Sequence, residues 1–188
     1  ATRADNWHDL FNALVWARYP QLKQALNVQQ CRHIEAMPPG QRNRAQAALT
    51  QFDETGVIVR VRDDSFMRAW DGHDWHALFE PAHWLSGDIA IAAVFGHALM
   101  EQALLPGRRL VGKCVVVQGD ADDTCVDAVT AAIAEGRAVT DPLQLRPLPL
   151  AGVPGWHERQ DADFYADAAY FRPLRAGRQY PPPLHGAM

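Results

Sequence analysis

Two apolar segments in the middle of the chain constrain its fold more than any other part of the sequence. Residues 89–95 read IAIAAVF and residues 113–117 read KCVVV, without the regular polar alternation of a half-exposed strand. Such runs are typical of strands buried on both faces, as in parallel sheets. Between them, residues 97–105 have helical spacing and a Pro-Gly pair ends that helix. The pattern predicts a central parallel β-α-β unit within residues 88–118, with helices packed on both sides.

Further helices and one more strand are predicted on either side of this unit. Residues 5–18, 21–34 and 41–53 carry apolar residues at helical spacing, and residues 124–135 directly follow acidic side chains, which favour a helix start. Residues 57–62 (VIVRVR) alternate in the manner of an outer strand. We therefore expect a helix-rich α+β or α/β fold around a small sheet.

The composition of the chain changes after residue 140. Eight of the 13 prolines lie beyond that point, which disfavours regular structure. The same segment is nevertheless rich in leucine and aromatic residues, so it is too apolar for a solvated linker. We predict a single domain over residues 1–188, with a core of helices and sheet over 1–140. Residues 141–188 should form an ordered, extended tail that covers the helices and buries Trp156.

Charge and composition exclude several classes of partner. The 188 residues include 18 basic and 22 acidic side chains, a formal net charge of −4, without the basic stripe that nucleic-acid binding requires. No apolar segment approaches the roughly 20 residues that span a bilayer. Three cysteines outside any CxxC pair suit a reducing compartment. We expect a soluble, cytoplasmic protein that binds neither nucleic acid nor membrane, and the sequence leaves its oligomeric state open.

Two groups of polar residues are candidates for catalysis. His8 and Asn12 are four residues apart and share a helix face, with Asp9 beside them, an arrangement that can position a general base and its orienting partners. His97 would begin its helix, where the dipole favours a neutral imidazole. If the first helix packs on the sheet through Trp7 and its apolar neighbours Leu10 and Phe11, His8 and His97 share one cleft. An ordinary amphipathic helix and a helix cap are the structural alternatives.

Three further residues are candidates for substrate binding. Asp120 follows the second buried strand, and ligands of open α/β sheets bind at the carboxyl ends of strands. We therefore expect Asp120 to lie across the cleft from His97. Asp53, which precedes a Gly turn, and Trp156 complete the set. Asp120 can equally be a helix cap, and Asp53 with its neighbour Glu54 a solvated helix end.

The sequence contains no complete motif for a metal, a nucleophilic serine or a bound phosphate. His97 and Glu101 are four residues apart and His73 and His76 are three apart, so each pair permits two metal ligands on one helix face. An HExxH sequence, the di-iron Glu-x-x-His pairs, a G-x-S-x-G elbow and a phosphate-binding glycine loop are all absent. We expect no cofactor, with a divalent metal ion as the alternative.

Several blocks of the sequence together resemble a known family. They include NWHDLFNALVW at 6–16, LTQFDETG at 49–56, FGHAL at 95–99, PLPLAGVPGW at 147–156 and FRP at 171–173. In these blocks the chain resembles the bacterial family catalogued as domain of unknown function 3025, over most of its length. The resemblance implies a bacterial cytoplasmic origin and a longer protein preceding Ala1. Because that family has no assigned activity, it supplies no catalytic residues.

Two functions of different classes fit these observations. The first is a small-molecule enzyme of the hydrolase or lyase type, which uses His8 and His97 as acid and base in a cleft at the carboxyl ends of the strands. The second is a non-catalytic module that binds a ligand or a protein through an aromatic-rich surface. The enzyme requires the two histidines to converge on a pocket, whereas the module requires a contiguous patch of exposed tryptophans.

Overall fold

The computed structural model describes residues 6–186. Its α-helices are α1 (Trp7–Arg18), α2 (Pro20–Glu35), α3 (Arg44–Thr55), α4 (Met67–Asp71), α5 (Trp75–Leu78), α6 (Pro81–Leu85), α7 (His97–Ala103), α8 (Asp122–Ala134) and α9 (Ala162–Tyr165). Its strands are β1 (Gly56–Val61), β2 (Ile89–Val94), β3 (Val111–Gln118), β4 (Arg146–Pro149) and β5 (Leu184–His185). Within the described range, no helix is both long and apolar enough to cross a membrane. The predicted helix-rich fold around a small sheet is confirmed, and its class is α+β.

The strands form one mixed sheet in the order β2-β1-β3-β4, with β5 also paired to β3. β1 runs parallel to β3, where Val57 lies opposite Cys114, and antiparallel to β2, where Val57 lies opposite Val94. β2 and β3 are therefore separated by β1 and run in opposite directions. The β-α-β unit predicted within residues 88–118 is wrong, because the parallel neighbour of β3 is β1.

β1 occupies the centre of the sheet, although its alternating sequence predicted an outer strand. Val57, Val59 and Val61 enter the core on one face of the sheet, and Ile58 enters the core on the other. The polar residue Arg60 extends its guanidinium outward, where it donates to Asp122 Oδ1 at 2.8 Å and to the Gly87 carbonyl at 3.1 Å. The Arg60 side chain is only 12% exposed, and its charged end is paired, so an alternating sequence occurs here in a strand that is covered on both faces.

Apolar clusters lie on both faces of the sheet. One face packs against α2, α3 and α8 through residues that include Leu26, Phe52 and Ile133. The other packs against α4, α5 and the proline-rich segment through residues that include Trp70, Leu148 and Phe171. The segment after residue 140 packs on helices α3 and α5, as expected, and it also covers a sheet face and contributes β4.

Two predictions about apolar side chains are wrong. Trp156 was expected in the core but is 53% exposed, because Val153 and Phe164 on either side of it supply the buried contacts. Trp7 was expected to pack on the sheet with Leu10, yet it is 58% exposed and Leu10 is also exposed. α1 does not pack directly on the sheet but on the outer side of α7 and α2. Only Val15 of this helix is therefore buried.

Candidate histidine and carboxylate site

A close backbone contact places His97 beside the end of α3. A Cβ atom on Gly96 would lie 2.4 Å from Thr55 Cα and 2.6 Å from the Glu54 carbonyl oxygen, so only glycine fits at this position. The backbone N–H groups of Phe95 and Gly96 both donate to the Gly56 carbonyl, at 2.9 and 2.8 Å. His97 follows directly and is 3% exposed. The start of α7 is therefore held against the junction of α3 and β1.

The imidazole of His97 meets that of His8, which is the first polar residue of α1. Their Nε2 atoms are 3.1 Å apart and the rings are nearly perpendicular, at 68°. The Nδ1–H of His97 donates to the Asp53 carbonyl at 2.9 Å, because a carbonyl oxygen can only accept. The Nδ1–H of His8 donates to Glu101 Oε2, also at 2.9 Å. When both rings are neutral, both Nε2 lone pairs therefore face the space between them.

Carboxylates surround this pair of imidazoles. Glu54 Oε2 lies 3.5 Å from His97 Nε2, and one ligand atom from each of His8, Glu54 and His97 lies within 4.8 Å of the others. Asp53 is already paired, since Lys23 Nζ donates to its Oδ1 at 2.6 Å. Within residues 6–186, neither Glu54 nor Glu101 forms an ion pair with lysine or arginine. Two negative charges are therefore left beside the histidines.

The environment of His97 favours its neutral form. Burial lowers the pKa of His97 below its usual range, and it outweighs the carboxylates of Asp53 and Glu54, which act in the opposite direction. The positive charges of Lys23 and of a protonated His8 lower this pKa further. A neutral imidazole at pH 7 presents a free Nε2 lone pair to the site.

The nitrogen and oxygen atoms of His8, Glu54 and His97 are close enough together for one divalent metal ion to contact all three. Ligands about 2.0–2.1 Å from one ion are about 3.0–3.4 Å apart when they lie at neighbouring positions around it, which the two Nε2 atoms already satisfy. Metal-binding histidines usually donate their other ring N–H to a carboxylate or a backbone carbonyl. Glu101 does this for His8, and the Asp53 carbonyl does it for His97. Glu54 is partly exposed, and its carboxylate supplies the third atom of the group.

The structure brings most of the predicted catalytic residues to this site. His8 and His97 share it, and Asn12 lines a cavity next to it. Glu101 occupies the position beside His8 that we expected Asp9 or Asn12 to fill. The backbone N–H of Asp9 instead donates to the side chain of Asn6, which caps α1. Asp53 belongs to the site through its backbone carbonyl and its ion pair with Lys23.

Two residues predicted to bind substrate lie elsewhere. Asp120 follows β3 at the end of the sheet where β1 and β3 finish and Val61 pairs with Gln118. His97 follows β2 at the other end of these strands, near Gly56, where β1 begins. The expectation that they face each other is wrong because β2 and β3 are antiparallel. Trp156 follows Val153, which packs on the other face of the sheet, and is not part of the histidine site.

Sequence reasoning missed the roles of Glu54, Glu101 and Lys23. Glu101 was noted for its four-residue spacing from His97, but its hydrogen bond is made to His8 on another helix. Glu54 was noted only as the neighbour of Asp53 at a helix end. Glu54 lies in the last turn of α3 and Glu101 lies in α7. Their closeness to the histidines could be recognised only once the packing of these helices was known.

The comparisons with known proteins identify a family without an assigned activity. The family model described as "Protein of unknown function (DUF3025)" matches residues 1–175 of the 188. No curated protein and no solved structure matches the chain.

Proposed function

The chain belongs to the DUF3025 family of proteins of unknown function, and we propose that it is a small-molecule enzyme of the hydrolase or lyase type. Its reactive centre is a divalent metal ion bound by His8, His97 and Glu54. The observation that supports this proposal is the 3.1 Å approach of two Nε2 atoms whose partner Nδ1 atoms are already hydrogen bonded. Two lone pairs at that distance repel each other unless a cation or a proton lies between them.

The charges around the histidines favour a divalent cation over a proton. Glu54 and Glu101 contribute two negative charges, and the two imidazoles contribute none when neutral. A doubly charged ion balances this set, whereas one added proton leaves a net negative charge. Protonation of His97 is also opposed by its burial. A partly buried site is more stable when its charges are balanced.

The side chains behind the ligands would hold them in place. The hydrogen bond from Nδ1–H of His8 to Glu101 selects the tautomer that presents Nε2, and the Asp53 carbonyl selects the same tautomer in His97. Lys23 pairs with the Asp53 side chain and stabilises the end of α3. Each of these residues is a positioning residue, because it acts through a ligand.

A metal ion bound here would polarise a substrate carbonyl and lower the pKa of a bound water. One side of the site is accessible to a substrate carbonyl and to water, because His8, Glu54 and Glu101 are each partly exposed while His97 is buried. Three protein ligands are typical of catalytic rather than structural zinc sites, which use four. This composition supports an enzyme rather than a metal-stabilised fold.

A second candidate is acid and base catalysis by the two histidines alone. The specific observation in its favour is that an Nε2 to Nε2 distance of 3.1 Å also suits one hydrogen bond that shares a proton. In that case one ring donates and the other accepts, and a substrate would exchange its proton with the pair. Metal titration separates the two candidates.

The non-catalytic binding module receives less support. Trp7 and Trp16 are exposed, but nine residues apart on α1 they lie on opposite sides of the helix. Trp156 follows Val153, which belongs to the apolar cluster on the other face of the sheet, and Trp70 and Trp75 are buried. The exposed tryptophans thus do not form the contiguous patch that this function requires. A cytoplasmic setting remains part of the proposal, and it is supported by three cysteine thiols that are free.

The test is a metal titration of chelator-treated protein. We expect one Zn²⁺ per chain by isothermal titration calorimetry, and Co²⁺ should give visible absorption bands of a site with nitrogen and oxygen ligands. His8→Ala should lower the affinity about 100-fold or more, and Glu54→Gln about 10-fold. His8 and Glu54 are both partly exposed, so these variants should fold.

The matched control is His185→Ala. This exposed histidine pairs with Gln118 at the far end of β3, away from the histidine site. Its Zn²⁺ affinity should equal that of the unmodified protein. The metal proposal is wrong if the protein binds no divalent ion, or if it binds one with an affinity that His8→Ala and Glu54→Gln leave unchanged.

A further inference from the structure

Three arginines recur at every third residue near the end of the proline-rich segment. Arg172 and Arg175 are exposed and Arg178 is half-buried, in a stretch without helix or strand. The backbone N–H of Arg178 donates to the Arg175 carbonyl at 3.1 Å, and Gly177 adopts a φ of 73° in the turn that this bond closes. Residues 172–180 are called the arginine loop below.

The imidazole of His73 holds both ends of the arginine loop. Its Nδ1–H donates to the Arg172 carbonyl at 2.9 Å, so its Nε2 accepts from the Tyr180 hydroxyl, also at 2.9 Å. Trp75 Nε1 donates to the same Arg172 carbonyl at 3.0 Å. His73 has a φ of 55°, in the left-handed region that residues other than glycine rarely adopt. Such strain persists where the surrounding contacts over-determine it, and it is frequent at functional sites.

The arginine loop brings its positive charges near Lys113 of β3. Arg178 Nη2 donates to the Leu145 carbonyl at 3.3 Å. The next residue, Arg146, pairs in the sheet with Cys114, which is the neighbour of Lys113. The guanidinium of Arg178 is therefore held beside the part of β3 that carries the lysine.

The cluster of Lys113 and the three arginines lacks a counterion. Burial lowers the pKa of Lys113, and the positive charges of Arg178, Arg172 and Arg175 lower it further. Within residues 6–186, no carboxylate forms an ion pair with any of these four side chains, and the Lys113 ammonium makes no hydrogen bond. Like charges held together repel each other unless an anion lies between them.

Two carboxylates near this cluster are each bound by another arginine. Asp71 accepts from Arg146 at 2.6 and 3.0 Å. Asp141 accepts from Arg44 Nη2 at 2.7 Å, and Arg44 holds the pKa of Asp141 at about 2. The charges of the cluster are therefore left for an anion from solvent.

We propose that Lys113 and the arginine loop bind the phosphate group of a small phosphate monoester. A guanidinium presents paired N–H donors that match two phosphate oxygens. A phosphate dianion brings two negative charges to the cluster, whereas a carboxylate brings one. The net charge of −4 of the whole chain disfavours a long polyanion such as nucleic acid.

This site is distinct from the histidine site. Lys113 belongs to β3, whereas His97 follows β2, and β1 lies between these two strands. The phosphate site therefore does not depend on the proposed function.

The test is an NMR titration of ¹⁵N-labelled, chelator-treated protein with inorganic phosphate, which replaces chloride at constant ionic strength. The backbone N–H groups of Arg175 and Arg178 and the indole N–H of Trp75 report on the loop. We expect saturable shifts with phosphate, and binding of acetate that is weaker by about 10-fold or more. Arg175→Gln should weaken phosphate binding about 10-fold, the value of one hydrogen bond between charged groups.

Lys113→Met separates ligand binding from a structural role. It removes a charge that burial and the arginines oppose and keeps a side chain of similar length, so the melting temperature without phosphate should not fall. Phosphate binding should nevertheless weaken about 10-fold. The matched control is Arg62→Gln, at an exposed arginine after Val61, which pairs with Gln118 at the far end of β3 from Lys113. This control should leave phosphate binding unchanged.

The inference is overturned if phosphate shifts none of the loop resonances, if acetate binds as tightly, or if Arg62→Gln weakens binding as much as Arg175→Gln does. It is also overturned if Lys113→Met lowers the melting temperature and leaves phosphate binding intact. Because the protein is free of metal, an ion at the histidine site contributes nothing to these results. Phosphate binding without Zn²⁺ binding would refute only the proposed function, and the reverse result would refute only the phosphate site.

Discussion

Replacement of Gly96 by alanine should disrupt the histidine site from a position that carries no reactive group. The new Cβ would lie 2.4 Å from Thr55 Cα and 2.6 Å from both Glu54 O and Gly56 N. All three are backbone atoms, which cannot rotate away as a flexible side chain can. The start of α7 must therefore separate from the junction of α3 and β1.

The required movement is about 1 Å, the difference between 2.4 Å and an ordinary contact of 3.4 Å. A shift of that size lengthens the two hydrogen bonds to the Gly56 carbonyl and carries His97 away from Glu54. Overpacking of this kind costs about 1–3 kcal/mol of unfolding free energy. Displacement of a ligand should lower the Zn²⁺ affinity about 10-fold or more, as the loss of an outer hydrogen bond does.

Urea unfolding followed by circular dichroism measures the first effect, and calorimetric titration with Zn²⁺ measures the second. The control is Gly186→Ala, where the nearest atom to the added Cβ is 3.5 Å away and the free energy of unfolding should stay within experimental error. If the Gly96→Ala variant unfolds at the same urea concentration as the unmodified protein, the contact is not as close as the structure shows. The explanation of how His97 is positioned would then be wrong.

Three further changes test other parts of the structure. Asp71→Ala leaves the guanidinium of Arg146, whose side chain is 2% exposed, without its carboxylate partner. Urea unfolding should show a loss of about 3 kcal/mol in the free energy of unfolding. This value is at the lower end for a broken buried pair because Asp71 is itself 36% exposed. Removal of residues 143–188 deletes β4 and one cover of the sheet, so we expect no cooperative thermal transition, and a shortened chain that melts like the full one would contradict this. Glu101→Ala should lower the Zn²⁺ affinity about 10–100-fold with little change in melting temperature, because it removes the partner of His8 Nδ1.

The meeting of His8 and His97 could be predicted from the sequence, but the reason given for it was wrong. Helical spacing placed each histidine at the start of a helix, and that is where the structure has them. The cleft was expected at the carboxyl ends of a parallel pair, whereas it lies where β2 ends beside the start of β1. An apolar run shows that a strand is covered, but it does not specify which strand lies beside it, since pairing depends on contacts distant in sequence.

Arg60 and the prolines near the end of the chain illustrate the same limit. A single arginine, paired with Asp122 and largely buried, made a central strand look like an outer one. Pro147 and Pro149 argued against regular structure, yet proline is tolerated in an edge strand, and β4 lies at the edge of the sheet. Glu54 and Glu101 could not be assigned because each acts on a histidine that another segment supplies. Local patterns thus determined the elements, and the contacts between elements determined the site.

The shallow packing of α1 makes the site sensitive to local motion. His8 belongs to a helix with a single buried residue, Val15, whereas His97 is anchored in the core. Segments with few buried apolar contacts open at a lower free energy than the core does. A cation shared by the two histidines would clamp α1 to α7 and raise that opening free energy by about 2.7 kcal/mol at a hundredfold excess over its Kd. Opening of α1 alone would then release the ion, so that the lifetime of the bound metal is set by the undocking of one helix and not by the unfolding of the protein.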